Sequence, residues 1–258
     1  IDRLKKSRAN AKDNKAKIMD GLRAYARYGA HNPFNYTFTD AELDNLKAED
    51  LVNALHDLAN MEYTVLYFGP QKIKQLAKEL PALKKSSLPF VKAPANIAFE
   101  EVETDKNQVL FVPYKMQQVE VFWLKNTNKY SVEQTPTIAL FNNYFGGGMG
   151  SVVFQTIRES KALAYSTYAY YAQPSKKENK YFIGAYVGTQ VDKFNDAIRG
   201  MNELLNVLPE SSKSFETAKQ SLLKSIASER IIDAGILNSY MTAQRLGNTI
   251  DVRKHVFE

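Results

Sequence analysis

The sequence predicts an α+β fold in which a mostly antiparallel sheet carries helices packed on one face. Two observations predict this class. Segments rich in β-branched and aromatic residues are concentrated between residues 97 and 189, and three helix-like segments follow them as a group. In addition, a helical segment near the beginning of the chain recurs near its end, which indicates tandem repeats of one domain.

The first 80 residues are expected to be mainly helical. Apolar residues at helical spacing predict one long helix over residues 3–29, and Pro33 ends it because proline lacks the donor N–H. Thr39 is a candidate cap for a short helix, "DAELDNL", and "AEDLVNALHDLANM" predicts a further helix. The run "YTVLYFG" (63–69) predicts a strand, and "PQKIKQLAKEL" predicts a helix that opens at a proline.

Residues 80–96 contain three prolines and little periodicity, so we expect a linker at 81–96. After this linker, we expect groups of strands followed by groups of helices. The predicted strands are "IAFEEVET" (97–104), "QVLFVPY" (108–114), "VEVFWLK", "AYSTYAYYA" and "YFIGAYVGT". The predicted helices are "TPTIALFNNYF", "GSVVFQTIRES" and residues 191–208, 212–231 and 233–247.

The internal repeat aligns residues 4–29 with residues 222–247 without a gap. Eight of the 26 aligned positions are identical, and apolar pairs lie between them. The offset of 218 residues is the size of one domain. We therefore expect residues 1–80 to finish one repeat, residues 81–96 to link it to the next, and residues 97–258 to form the beginning and middle of the next repeat. The chain would then be a fragment of a longer protein.

The composition is that of an ordinary globular protein, with 44% hydrophobic and 24% charged residues. No apolar run approaches the roughly 20 residues of a membrane helix. The sequence has no cysteine, which excludes disulfides and thiolate metal sites. A cysteine-free chain fits a reducing compartment or a bacterial periplasm, and we favour the periplasm. The net charge is +6, but the lysines are spread among acidic residues, which argues against nucleic acid as a partner.

The glycine-rich segment "GGGMGS" (146–151) follows a predicted helix and contains no lysine, so it fits neither a phosphate-binding nor a dinucleotide-binding loop. Its simplest role is to let two helices turn sharply and approach closely. Arg158 is predicted at the end of the next helix, and Tyr165 at the start of the following strand. Both side chains donate hydrogen bonds and could hold one carbonyl oxygen. Equally, Arg158 could complement a helix dipole and Tyr165 could simply begin a strand.

The stretch "YFGGGMGSVVFQTIRESKALAYSTYAYY" resembles the C-terminal half of pitrilysin-type zinc metallopeptidases. The likeness consists of the glycine-rich turn, the pattern F-Q-x-I-R-E, and a small residue and a tyrosine before an aromatic strand. It extends to Gln117 or Gln118 and to "NPFNYTFTDAELDNL", which is similar to the stretch before the last helix and strand of a domain in this family. The family is built from tandem α+β domains of about the size of the repeat.

The resemblance implies that two domains have different roles in catalysis. Zinc would be bound by an inverted H-x-x-E-H motif in an N-terminal domain, over which a C-terminal domain closes. By motif match, Arg158 and Tyr165 would hydrogen-bond the substrate carbonyl beside the scissile bond, and Tyr165 would help to stabilise the tetrahedral intermediate. The implied partners are a peptide substrate and an N-terminal catalytic half, in the same protein or in a partner subunit.

The three histidines do not complete a zinc motif. His31 and His56 lie in "HNPFN" and "HDLAN". "HVFE" at 255–258 fits the first four positions of H-x-x-E-H, but the repeat places it late in a domain, whereas the motif belongs early in one. We therefore expect that this chain binds no zinc and has no peptidase activity by itself, and that zinc belongs to the full-length enzyme.

The resemblance thus implies the substrate-clamping, non-zinc-binding portion of a zinc metallopeptidase that hydrolyses peptides. Two alternatives stay open. One is a catalytically inactive scaffold or core-type subunit on the same fold, and the other is a module that binds an extended peptide at a sheet edge. If the chain stops within a domain, its sheet has an open edge, and residues 31–70 are a candidate to fill it.

Overall fold

The computed structural model describes residues 1–83, 89–103, 106–249 and 251–258. A three-stranded antiparallel sheet lies at its centre, formed by β1 (Gln118–Lys129), β2 (Ser166–Ala172) and β3 (Lys180–Gln190). The strand order is β1-β3-β2, so the last strand in the chain lies in the middle. In the register, Ala185 of β3 faces Trp123 on one side and Ala169 on the other. The predicted α+β class is confirmed.

Helices surround this sheet. Before it lie α1 (Asp2–Ala11), α2 (Lys15–Tyr28), α3 (Asp40–Asn45), α4 (Ala48–Asn60) and α5 (Ile73–Leu83). Between β1 and β2 lie α6 (Thr135–Phe141) and two π-helical segments, Asn142–Gly146 and Phe154–Ser160. After β3 come a short 3₁₀ turn (Val191–Lys193) and then α7 (Phe194–Asn206), α8 (Ser212–Ser228), α9 (Asp233–Leu246) and α10 (Val252–Phe257). Among the described helices, none is both long and apolar enough to cross a membrane.

The main core lies between one face of the sheet and the helices that follow β1. Alternate residues of the strands point into it, as the period of two along a strand requires. Ala169 and Val187 from the strands pack with Ile157 and Met201 from the helices, and each of the four is at most 2% exposed. This packing fixes the second π-helical segment against the sheet, which matters for the candidate site.

The opposite face of the sheet is covered in part by α2. The Arg23 guanidinium lies 4.4 Å from the centroid of the Phe122 ring and donates a 2.7 Å hydrogen bond to the Tyr170 hydroxyl. One turn further along, Arg27 donates a 2.6 Å hydrogen bond to Glu101, and both side chains are largely buried. Two cationic side chains thus attach α2 to an aromatic strand surface.

Several predicted elements are wrong in detail. The long helix over 3–29 is two helices, because the Asn14 side chain accepts hydrogen bonds from the backbone N–H groups of Ala16 and Lys17 and begins a new helix there. The described residues of the predicted strands 63–69, 97–104 and 108–114 form no strand. Residues 84–88 of the predicted linker lie outside the described residues.

The wrong strands share one physical cause, which is the lack of a pairing partner. In the region around 63–69, the isolated bridge found within the described residues joins Met61 to Val91. Val109 and Phe111 are 93% and 80% exposed, so their high strand propensity meets no neighbouring strand. Within this chain, the segment 31–70 does not fill an edge of the three-stranded sheet, so that half of the prediction is wrong. Pairing of the segment with the sheet of a second copy stays a prediction.

The repeated segments adopt the same local structure. Helix α2 begins at Lys15 and α9 begins at Asp233, which are aligned positions in the repeat. Each is preceded by a short break and an earlier helix. Each also ends at a glycine with a positive φ, 75° at Gly29 and 69° at Gly247, a conformation that glycine adopts at little cost. The two segments therefore share a helix–break–helix form as well as identical residues.

Candidate functional site

The glycine-rich turn places a helix end directly against a strand. Gly146 is buried, and a Cβ atom added there would lie 2.0 Å from the carbonyl oxygen of Ala169 in β2. Gly148 has a φ of 122°, in the left-handed region that favours glycine. The glycines therefore permit a sharp turn, as expected. The close approach is to β2, however, rather than between two helices.

Arg158 lies on the second π-helical segment, with its side chain 44% exposed. The buried Ile157 beside it holds the segment on the core, so the arginine extends outward. The guanidinium carbon lies 4.8 Å from the centroid of the Phe154 ring, a cation–π contact that restrains it. Its Nε atom is also 3.7 Å from Glu159 Oε1, an exposed ion pair of the kind that contributes little stability. Arg158 is thus oriented but still accessible.

Tyr165 immediately precedes β2, and the residue is 77% exposed. Its backbone N–H donates a 2.9 Å hydrogen bond to the carbonyl oxygen of Gly188 in β3. The main chain of Tyr165 is therefore fixed by the sheet, whereas the phenol extends into solvent. Within the described residues, its hydroxyl has no hydrogen-bond partner, so it can donate to a ligand.

A short turn connects the two candidate residues. Lys161 N–H donates to the Thr156 carbonyl oxygen at 3.0 Å, and Leu163 N–H donates to the Ile157 carbonyl oxygen at 2.8 Å. These bonds fold the chain back from the helix end towards the start of β2. The structure thus places an exposed guanidinium and an exposed phenol at the two ends of one compact turn, as the sequence predicts.

The histidines are not assembled into a metal site. His31 packs against the rings of Tyr36 and Phe99, with centroids 5.6 and 5.1 Å away. His56 is exposed on α4, and His255 lies on α10. Across the described part of the chain, no three His, Cys, Asp or Glu residues are grouped in a way that could hold a metal ion. The described residues therefore do not assemble a ligand set for a zinc ion.

The sequence-based predictions missed the aromatic surface on the face of the sheet opposite the main core, which α2 covers in part. Tyr168 and Tyr186 stack with centroids 4.9 Å apart, and burial together with nearby Glu120 raises the pKa of Tyr186 to about 12. The alternation of tyrosines in β2 was the available signal. Thr189 and Lys193, which contact the turn before Tyr165, were also missed, because their positions depend on how β3 returns beside β2.

Fold and site together define an α+β domain that carries an exposed arginine–tyrosine pair and shows no metal-ligand cluster among its described residues. The chain belongs to the family described as the peptidase M16 inactive domain, whose model matches residues 59–222. This match confirms the resemblance to pitrilysin-type peptidases.

Related proteins agree with the assignment. The "uncharacterized zinc protease YmxG" of Bacillus subtilis (strain 168) is 32% identical over 97 residues, covering 36% of this chain and 23% of that protein. The peptidase M16 inactive domain from Pseudomonas fluorescens has a TM-score of 0.64 at 16% identity, covering 97% of this chain and 61% of that one. The ferredoxin protease FusC, solved in complex with Arabidopsis ferredoxin, has a TM-score of 0.64 at 13% identity, covering 97% and 28%. The two structural matches show the fold alone, and the chain spans less than two thirds of each of these three relatives.

Proposed function

We propose that this chain is the substrate-clamping portion of a zinc metallopeptidase, in which Arg158 and Tyr165 hold the substrate carbonyl beside the scissile bond. A zinc ion held by another domain supplies the hydrolytic chemistry. The observation that carries the proposal is the exposed donor pair at the ends of a fixed turn, in a chain of the peptidase M16 inactive domain family.

The chemistry of the two side chains suits this role. A guanidinium and a phenol both present N–H or O–H groups to a carbonyl oxygen, and the negative charge that develops on this oxygen during hydrolysis strengthens both hydrogen bonds. Donors of this kind act chiefly in the transition state, and removing one typically lowers kcat by about 10²- to 10³-fold. Tyr165 would stabilise the tetrahedral intermediate, while Arg158 would also orient the peptide.

A peptide or protein substrate is supported by the relatives. YmxG is named as a zinc protease, and FusC was solved with a protein bound to it. Among the described residues, no group of His, Cys, Asp or Glu side chains could hold a metal ion. The proposed partner of this chain is a zinc-binding half in the same protein or in another subunit. The activity of the whole protein follows from that pairing.

We further propose that residues 1–80 finish one repeat, residues 81–96 link it to the next, and residues 97–258 form the beginning and middle of the next. Two observations support this organisation. The aligned helices α2 and α9 share their start, the preceding break and the terminal glycine. In addition, α4 exposes apolar side chains that a complete domain would cover, with Leu51, Leu55 and Leu58 each about 60% exposed.

The proposal is tested by replacing Arg158 with alanine and Tyr165 with phenylalanine in the full-length enzyme. The exposed residues Arg199 and Tyr240 offer matched controls, Arg199→Ala and Tyr240→Phe. We expect peptide turnover to decrease in Arg158→Ala and Tyr165→Phe and to equal that of the unchanged enzyme in the two controls. Unchanged turnover in both test variants would overturn the proposal and would favour a scaffold on the same fold.

A further inference from the structure

The turn between Arg158 and Tyr165 contains an unusual backbone conformation. Ala162 has a φ of 48°. Among the described residues, it is the only one other than glycine that has a positive φ. A left-handed conformation costs an ordinary L-residue roughly 1–2 kcal/mol. Such residues persist where the surrounding structure holds them, and they often lie near functional sites.

Two side chains hold this turn, Thr189 near the end of β3 and Lys193 in the 3₁₀ turn that follows it. The Thr189 hydroxyl donates a 2.6 Å hydrogen bond to the Leu163 carbonyl oxygen, and the Lys193 ammonium group donates a 2.8 Å hydrogen bond to the Ala162 carbonyl oxygen. Thr189 is only 2% exposed, so its bond lies in a protected environment. Two consecutive carbonyl groups are therefore bound from one neighbouring segment, residues 189–193.

The two contacts add to other bonds along the turn, in which Lys161 N–H donates to the Thr156 carbonyl oxygen and Leu163 packs against the main core. The helix side is held by the hydrogen bond from Leu163 N–H to Ile157, and the strand side by the bond from Tyr165 N–H to Gly188. Thr189 and Lys193 bind the carbonyl groups of Leu163 and Ala162 themselves, so losing these bonds would remove contacts that oppose relaxation of Ala162 to a common backbone conformation. Relaxation there would shift Tyr165 relative to Arg158, because only two residues separate Ala162 from the tyrosine.

We propose that Thr189 and Lys193 are positioning residues that set the separation and relative orientation of Arg158 and Tyr165. They act on the main chain of the turn and not on the substrate. This inference rests on the proposed function, since it assigns the turn a purpose only if the pair binds substrate. Its expected size follows from the sensitivity of reacting geometry: a displacement of about 1 Å can lower turnover about 10²-fold.

The test uses Thr189→Val and Lys193→Met in the full-length enzyme. Thr189→Ser keeps the hydroxyl, and Thr217→Val removes a similar hydroxyl bond to a carbonyl oxygen on the distant helix α8, so these two serve as controls. Each substitution is also made together with Arg158→Ala and Tyr165→Phe. The readouts are kcat, KM, the melting temperature and the amide hydrogen exchange of residues 161–165.

We expect Thr189→Val and Lys193→Met to lower kcat by about 10- to 100-fold with little change in KM, and to accelerate exchange at residues 161–165. Both controls should behave as the unchanged protein does. In the background lacking Arg158 and Tyr165, the effect on kcat should disappear, because there is no pair left to position.

The outcomes distinguish the positioning role of Thr189 and Lys193 from the proposed function of the chain. If Arg158→Ala and Tyr165→Phe reduce turnover but Thr189→Val and Lys193→Met do not, the positioning role is wrong and the proposed function stands. If the Thr189→Val effect persists in the background lacking the pair, or follows the melting temperature alone, the positioning role is also wrong. If Arg158→Ala and Tyr165→Phe leave turnover unchanged, the proposed function and the positioning role both fail.

Discussion

Replacing Gly146 with alanine should destabilise the protein by forcing the glycine turn away from β2. The added Cβ would lie 2.0 Å from the Ala169 carbonyl oxygen, 2.5 Å from its carbonyl carbon and 2.7 Å from its Cα atom. Ordinary contacts begin near 3.4 Å. Since all three atoms belong to the backbone, no side-chain rotation can relieve the overlap, and the turn or the strand must move by more than 1 Å.

The magnitude follows from the known cost of overpacking, which is about 1–3 kcal/mol and sometimes more. Because the clash involves backbone on both sides, we expect about 3 kcal/mol for Gly146→Ala. In a chain of this size, each kcal/mol lowers the melting temperature by about 2–4 °C, so the expected decrease is about 6–12 °C. Thermal unfolding followed by circular dichroism measures it.

Gly150→Ala is the matched control. It lies four residues further along the same turn, and a Cβ there would have no heavy atom within 4 Å. Its melting temperature should stay within about 2 °C of the unchanged protein, since alanine also restricts the unfolded chain slightly. If Gly146→Ala and Gly150→Ala have the same melting temperature, the glycine turn does not pack against β2 as described.

Three further predictions concern the sheet and its surroundings. Glu101→Ala leaves the largely buried Arg27 unpaired and should lower the free energy of unfolding by about 3 kcal/mol in urea titrations; a loss below about 1 kcal/mol would contradict the ion pair. The folded-state pKa of Tyr186, about 12, exceeds the usual value of 10.0, so its contribution to stability is complete below pH 10 and is lost as the pH rises towards 12. Between pH 10 and 12, the free energy of unfolding should decrease less steeply with pH for Tyr186→Phe than for the unchanged protein. Equal slopes for the two proteins would count against the raised pKa. Leu246→Ala, at a side chain only 2% exposed, should cost about 2–5 kcal/mol. Leu55→Ala, at a side chain 64% exposed, should stay within about 0.5 kcal/mol, and equal losses would contradict the assigned burial.

The sequence predicted best those features that depend on residues close together in the chain. The Thr39 cap is present with both hydrogen bonds of a capping box, because Glu42 lies three residues later. The ends of the second π-helical segment and of β2 place Arg158 and Tyr165 where their spacing indicates. The break at Asn14 was equally local, but the helical periodicity on both sides concealed it.

Features that depend on distant neighbours could not be predicted in this way. Residues 108–114 have the composition of a strand, yet a strand forms only where another strand offers its N–H and C=O groups. The contacts of Thr189 and Lys193 with the turn form because β3 returns beside β2. No local sequence pattern indicates these contacts. The fold class and the positions of Arg158 near a helix end and Tyr165 before a strand were therefore predictable. The contacts of Thr189 and Lys193 with the turn between them were not, and the shared role of Arg158 and Tyr165 stays a prediction.

The rate of peptide hydrolysis by the full-length enzyme carrying Tyr165→Phe tests the central claim most directly. This change removes one hydroxyl that has no partner within the described residues, so stability should be unaffected. The account predicts a decrease in kcat of about 10²- to 10³-fold. A kcat equal to that of the Tyr240→Phe control would contradict it.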